Sequence, residues 1–583
     1  MTGFVAIVAT LALFAGLAAA FWGWGWVAAL ALRRAGAPPL PAALSIWLGW
    51  AALLFGLQVV NLFAPITAVT VIPLFLIGIL LALRPMQAAL RSLGKNDFIF
   101  GIIFAAAILA LAVWVSVRAM LPAMNYDTGV YHFAAVRWIN SYAVVPGLGN
   151  LHGRLAFNQS FMTYVAALNF YPLFGHGDAL ANSFLLLLTF ATLLAALRPV
   201  FQRPALLLEA HPFLYAAPLV MLPLLGFLTV ISRELSSPTP DLASTLLQIV
   251  MAYLLARGIA LWVRGETWRA SEIAVLVILA ATAVTVKLSN AAFAGGILVL
   301  CLAYTWRASP ARWKSLAGIL LPAFAVVAVW GFRGFLLSGA PFYPSTIGYI
   351  PVSWAVPLGL IKEQAISVSA WGRLPHGTPD VVMSNWDWLG PWSAATFSDS
   401  VGVVYPLVST LIFGVAGLAA TMVSIRRKRG GFRLLEWSLV LLPMVGLAFW
   451  FFTSPDPRFA NALFFLLAYG AALLVLCALL PLLSRRGFAV VLVVILVAAN
   501  FFLVKYAIGR YSYKDISLSG WQPETTVPLV EKWTTSGLGV YTPADGGDQC
   551  WDAPLPCTPY FNQDLRLRVP GDLGAGFMVG NGP

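Results

Sequence analysis

The chain has 583 residues, 60 % of them hydrophobic and only 10 % charged, with a mean hydropathy of +0.86. A soluble globular protein carries roughly 25 % charged residues, so this composition cannot cover a water-facing surface of such a size and excludes a soluble globular protein. The net charge of +13 does not point to nucleic acid, because the basic residues sit in short loops between apolar runs, where the positive-inside rule expects them.

In chain order, about fourteen spanning helices are expected, near 3–31, 41–62, 66–83, 98–117, 178–197, 213–231, 241–262, 272–286, 289–305, 315–332, 403–424, 434–452, 460–483 and 487–504. This is an all-α polytopic membrane protein. Several segments fall below the ~20 residues of a perpendicular span, 272–286 and 289–305 most of all. No small-residue cleavage site follows the first apolar stretch, so it reads as retained. Alternate loops hold Arg33 and Arg34; Arg84, Arg91 and Lys95; Arg198 and Arg203; Arg264 and Arg269; Arg307, Arg312 and Lys314; "RRKRGGFR" at 426–433; and Arg485 and Arg486. All fall on one side, which the positive-inside rule makes the cytoplasm. Residues 1–504 then form a transmembrane domain with two large outside loops, 118–177 and 333–402, and 505–583 form an extracytoplasmic tail. No 20–50-residue repeat is evident, so a solenoid is not expected.

Five outside segments carry chemistry. "MNYDTGVYHFAAVRWIN" places Asp127, His132 and Arg137 within eleven residues, after a long apolar helix. Asp127 either caps the amphipathic stretch that follows, which suits the membrane interface, or serves as a general base. In "SSPTPDLASTLL", Pro240 and Asp241 suit a first helical turn and the positive end of its dipole. Arg233 and Glu234 lie on the same face, and the two aspartates can hold an acceptor, a metal ion or neither. Lys287, inside a long apolar run, either snorkels or holds an anion. Arg333 marks the outer end of a helix in "FRGFLLSGAPFYPS". The aromatic loop after it offers Trp371, Trp386, Trp388 and Trp392 as interface anchors or sugar platforms. In "TSPDPRFANALFF", Asp456 and Arg458 either pair within a tight turn or present a guanidinium fork to phosphate.

Cys301 and Cys477 read as small buried apolar residues. Cys550 and Cys557, with six residues between them in the tail, suit a disulfide in an oxidising compartment, two free thiols being the alternative. "PGLGNLHG" lacks dinucleotide-fingerprint spacing and follows no strand. No Walker motif appears, which argues against ATP-driven transport, and no Cys/His set has zinc spacing. "NQS" at 158–160 matches an N-glycosylation sequon, a pattern common by chance.

Taken together, "YDTGVYHFAAVRWINSYAVVPGLGNLHGRLAFN", "SSPTPD", "SGAPFYPS", "PDPRF" and "GDQCWDAPLPCTPYFN" resemble the GT-C superfamily of integral-membrane glycosyltransferases. More narrowly, they resemble a group of bacterial membrane proteins of that type. The resemblance covers the chain from about residue 98 onward, and it departs from the superfamily's frequent pair of adjacent acids, since Thr128 follows Asp127. It implies a sugar donor linked to polyprenyl phosphate, Asp127 as catalytic base, and an active site on the periplasmic side of a bacterial inner membrane. Tyr126, His132, Arg137, Asp241, Lys287, Arg333, Asp456 and Arg458 would bind substrate. The acceptor is a glycan, lipid or protein, the other partner is the bilayer, and nucleic acid is not a partner. No cofactor is required beyond a possible divalent cation, which Asp127 and Asp241 would hold. The alternatives are a polymerase or ligase of the O-antigen type using a lipid-diphosphate-linked oligosaccharide, a transporter or flippase, and a binding protein with a dead site.

Overall fold

The computed structural model describes residues 3–32, 39–91, 94–170, 174–231, 234–426, 435–510, 520–521 and 525–580. Arg33, Arg34, Arg233 and most of "RRKRGGFR" lie outside the described residues. Each of the fourteen expected segments is a helix: α1 Gly3–Leu32, α2 Ala42–Phe63, α3 Ala68–Arg91, α4 Lys95–Ala119, α5 Ala181–Ala196, α6 Pro212–Ile231, α7 Pro240–Val263, α8 Ala270–Val286, α9 Ala291–Ala308, α10 Arg312–Ser338, α11 Tyr405–Arg426, α12 Ser438–Thr453, α13 Leu463–Leu479 and α14 Arg485–Arg510. Among the described residues, ten helices are long and apolar enough to cross a membrane, and α6, α8, α12 and α13 supply four shorter apolar ones. The chain is a multi-pass, mainly α-helical membrane protein.

Burial sorts these helices into two sets. α7, α8 and α13 are buried almost all round, as expected of helices with no polar face at a bundle centre. α3, α4, α11 and α14 instead expose ladders of large apolar side chains, such as Leu76 and Leu80, Ile99 and Ile102, Leu411 and Ile412, Val490 and Val494. In water such a surface would be untenable; hydrocarbon is its natural solvent.

α1 meets α2 backbone to backbone. A Cβ on Gly25 would lie 1.6 Å from the Ser45 carbonyl oxygen, and one on Gly49 would lie 1.7 Å from that of Phe21. Small residues allow this approach where no hydrophobic drive between helices exists. α3 runs to Arg91, beyond the expected end at residue 83, because "MQAALR" continues the helical pattern out of the apolar zone.

Basic loops gather at one end of the bundle. Arg198 pairs with Asp97 at 2.7 Å, and Glu209 pairs with both Arg203 at 2.8 Å and Arg485 at 2.7 Å. The tail is more structured than its Pro- and Gly-rich sequence suggests. It holds two antiparallel pairs, β1 Leu529–Trp533 with β2 Gly539–Pro543 and β3 Leu565–Leu567 with β4 Phe577–Val579. The Cys550–Cys557 disulfide is formed. Cys301 is buried as expected, but Cys477 is only partly so and stands 3.9 Å from the His211 ring.

The second large loop contains three short helices, Leu358–Arg373, Pro379–Ser384 and Leu389–Ser398. Trp388 is buried, and Trp392 is half-buried, its indole donating to the Pro455 carbonyl at 2.7 Å and its ring packed against Trp388, Trp450 and Phe451. Trp371 and Trp386 remain exposed.

At the other end of the bundle, one buried amide sets the spacing of three helix ends. Gln248 of α7 donates to Asn290 Oδ1 at 2.9 Å and accepts from the Ala462 backbone N–H at 2.9 Å. Asn290 in turn donates to Ser244 Oγ and to the Ala283 carbonyl. Gln248→Leu leaves the Ala462 N–H and the Asn290 carbonyl without partners in an apolar interior. The expected loss is about 1–3 kcal/mol, read by thermal or denaturant unfolding in detergent; a loss below about 0.5 kcal/mol would mean that water or another group takes over.

Candidate functional site

Asp127 is placed by its neighbours. The Met124 and Asn125 backbone N–H groups both donate to Ser237 Oγ at 3.1 Å, which moors the first large loop to the start of α7. Asn125 Oδ1 then accepts the Asp127 N–H at 2.9 Å in a local Asx turn. Residues Thr128–His132 form a single π-helical turn, which passes into the helix Phe133–Ser141. Such turns recur at functional sites because the extra residue re-aims side chains.

Of the two readings of Asp127, the capping one is not met: its carboxylate accepts no N–H from the helix it precedes. Instead Oδ1 faces Arg154 Nη1 at 3.5 Å and Oδ2 faces Arg458 Nη1 at 3.1 Å. Arg458 also reaches Asp456, from Nε at 3.2 Å and from its backbone N–H at 3.0 Å. Hence Asp456 caps the turn as the local reading expects, while the Arg458 fork is turned on Asp127. Lys287 does not snorkel. It forms an ion pair with Asp241 and lies 4.2 Å from the centre of the Phe459 ring, which Arg458 approaches at 4.8 Å. One aromatic ring therefore contacts both cations and joins two ion-pair groups.

His132 and Glu234 complete the cluster. Burial lowers the His132 pKa to about 4, against the opposing pull of Asp127 and Asp241, so the ring is neutral at pH 7. Its Nδ1 lies 3.4 Å from Thr128 Oγ1, and Nε2 has no hydrogen-bond partner among the described residues. Burial, with the charge of Asp241 behind it, pushes the Glu234 carboxyl up to about 7, although the Asn125 amide donates to both oxygens at 3.0 and 2.9 Å. For Arg458, burial works against the charge, but Asp127, Asp241 and Asp456 outweigh it and hold the pKa above its ordinary value.

Two expected site residues are engaged elsewhere. Arg333 is buried and donates to Asn158 Oδ1 and Asn61 Oδ1, each at 2.8 Å, so it braces the loop rather than facing an open surface. It shares with Arg154 and Tyr131 a cavity of about 40 Å³, room for water but not for a sugar. Arg137 grips Asp552 of the tail with two bonds, at 2.8 and 2.6 Å. Tyr126 is likewise held by the tail, its hydroxyl donating to Asp548 Oδ1 at 2.5 Å. The sequon asparagine, Asn158, is buried with its amide on the Trp330 carbonyl at 2.6 Å, so it is no surface acceptor.

A metal between Asp127 and Asp241 does not fit this arrangement. Each carboxylate already faces a cationic side chain, and among the described residues no three metal-ligating groups converge there. Arg154 escaped sequence reasoning: a lone arginine in "LHGRLAF" carries no local sign of its partner. Its place in the stretch shared with the GT-C resemblance was the only hint.

The tail covers the Asp127 segment closely. The Trp551 N–H donates to the Gly129 carbonyl at 2.8 Å, and a Cβ on Gly129 would lie 2.7 Å from the Trp551 ring. Gly129→Val should dislodge the tail and open it to limited proteolysis while the bundle stays folded; an unchanged cleavage pattern would refute the docking. Glu234 should show a protonated-carboxyl infrared band that fades as pH rises through about 7 and is missing in Glu234→Gln. Its raised pKa means that the folded chain holds this proton between about 4.5 and 7, so its contribution to stability falls as pH rises from about 4.5 to 7 and is level above that.

A family model described as a domain of unknown function (DUF8201) matches residues 7–465. No curated protein and no solved structure matches the chain. The matched span runs from α1 to the first turn of α13 and takes in Asp127, Arg154, Asp241, Lys287 and Arg458. By this match over most of its length, the chain belongs to the DUF8201 family.

Proposed function

We propose that this protein is a GT-C-type glycosyltransferase that moves a sugar from a polyprenyl-phosphate donor to an acceptor on the periplasmic face of a bacterial inner membrane. The observation that carries the reading is the Asp127 carboxylate set between Arg154 and Arg458, with the Lys287–Asp241 pair beside it. In this reading all fourteen apolar helices cross the bilayer. The end that gathers Arg198, Arg203 and Arg485 faces the cytoplasm, and the Asp127 cluster faces out.

The chemistry follows from the charges. A lipid-phosphate sugar carries its leaving group at headgroup depth, so the site needs cations there and no nucleotide-binding domain. A bound donor phosphate competes with Asp127 for Arg154 and Arg458, since a guanidinium fork fits phosphate as well as carboxylate. As the arginines turn to the phosphate, Asp127 is freed. The acceptor hydroxyl oxygen then attacks the anomeric carbon, the bond from that carbon to the phosphate oxygen breaks, and Asp127 takes the hydroxyl proton. A single displacement of this kind inverts the anomeric centre. Charge growing on the leaving phosphate meets preorganised cations in a site shielded from water. Arg154, Arg458 and Lys287 supply the positive charge that a divalent ion would otherwise bring.

Three cations also suit a diphosphate, which keeps a polymerase or ligase of lipid-diphosphate oligosaccharides as the second reading. A transporter is less well supported, because it calls for polar groups near the midplane and these lie at helix ends. Asp127→Asn should keep the fold and donor binding and lower kcat by about 10²–10⁴-fold. Arg458→Ala should weaken donor binding as well, and lysine at that position should restore it only in part. The measurement is transfer from labelled lipid-monophosphate and lipid-diphosphate sugars in parallel; full transfer by Asp127→Asn would overturn the role of that residue.

A further inference from the structure

Three potential metal ligands meet at the end of the bundle opposite Asp127. His211 immediately precedes α6, Glu436 lies just before α12, and Cys477 sits in the last turn of α13. His211 Nε2 is 3.0 Å from Glu436 Oε1 and 3.9 Å from Cys477 Sγ, and all three ligand atoms lie within 4.8 Å of one another. The His211 and Glu436 side chains are only 9 % and 14 % exposed, so the group is sheltered yet reachable.

Ordinary roles account for only part of this. The His211 Nδ1 accepts the Phe213 N–H at 3.3 Å, which caps α6 and puts the ring proton on Nε2, toward Glu436. That explains the pairing of two residues but not why the Cys477 sulfur approaches the same ring nitrogen. A Cys–His–Glu relay does not explain it either. In a relay the acid and the nucleophile use different ring nitrogens, whereas here both converge on Nε2. One proton cannot serve an oxygen and a sulfur at once, but one ion can. Around a tetrahedral zinc, with bonds of about 2.0–2.3 Å, nitrogen, oxygen and sulfur atoms stand roughly 3.3–3.6 Å apart. The distances seen here straddle that range.

We infer that His211, Glu436 and Cys477 form a binding site for a borderline-soft divalent cation, with Zn²⁺ the best match. A thiolate beside an imidazole disfavours Mg²⁺ and Ca²⁺, which want oxygen ligands. Binding releases the thiol proton to solvent and moves the ring proton to Nδ1, giving up the long contact with Phe213. Three protein ligands leave a fourth position for water. The ion would clamp the ends of α6, α12 and α13. α12 and α13 run from this site to the turn that carries Arg458, a length of about 24–26 Å at 1.5 Å per residue. The clamp is therefore structural, and it rests on no part of the glycosyltransferase reading.

The test uses the full chain, purified tag-free in detergent, stripped with chelator, reloaded with Zn²⁺ and dialysed. Elemental analysis should find one zinc per chain in the native protein and in Cys301→Ser, and none in Cys477→Ser or Glu436→Gln. Co²⁺ should give a thiolate-to-metal charge-transfer band that disappears in Cys477→Ser. Zinc should also raise the melting temperature of the native chain but not of Cys477→Ser. Native protein that retains no zinc overturns the site. So does zinc that survives the loss of Cys477, or a cobalt spectrum without the thiolate band. If a variant elutes as aggregate, the native stoichiometry and cobalt band decide alone.

Discussion

The geometry of the Asp127 cluster depends on a residue that never touches it. Gln248 lies two turns along α7 from Asp241, and its amide holds Asn290, three residues after Lys287, and Ala462, four residues after Arg458. The cations at 287 and 458 stand on separate chain segments, each free in principle to take many positions. In an apolar interior an amide left unpaired is costly, so both of its bonds are made and the segments are fixed relative to each other. Phe459 then meets both Lys287 and Arg458 because its backbone is already in place.

Charge balance is the second constraint. Asp127, Asp241 and Asp456 face Arg154, Lys287 and Arg458, while His132 is neutral and Glu234 sits near its own midpoint at pH 7. With no ligand bound, the cluster compensates itself and tolerates a partly buried position. An anion upsets that balance locally, and the adjustable members are those with more than one partner. Arg458 has two carboxylates within ion-pair distance and can leave one without losing the other.

Much of this was legible in the sequence. Apolar runs located all fourteen helices, because a run of that length in this composition has few other uses, though α3, α10 and α14 run six to eight residues past their expected ends. Asp127, Asp241, Lys287 and Arg458 were readable as a group, since charges are rare here and these lie at helix ends. What failed to show was partnership. Arg333 looked like Arg458 in sequence, but its acceptors are amides 175 and 272 residues away. Cys477 looked apolar because His211 is 266 residues distant. Of the two readings open for Asp127, the cap gave way to two arginines, which outbid an uncharged N–H for a carboxylate. Long-range pairing leaves no local periodicity, and periodicity is what a single sequence displays.

The docking of the 548–552 segment on Tyr126–Gly129 also has a consequence in time. Tyr126 and Asp548 are 422 residues apart, so during synthesis the Asp127 segment emerges long before the part that covers it. The helices can insert and the ion pairs can assemble while Tyr126, Arg137 and the face of Gly129 still lie bare. The finished surface around Asp127 therefore forms late, when a water-exposed β-structure comes down on a bundle already seated in lipid. Two folding environments, one hydrocarbon and one aqueous, have to agree at a patch a few residues wide.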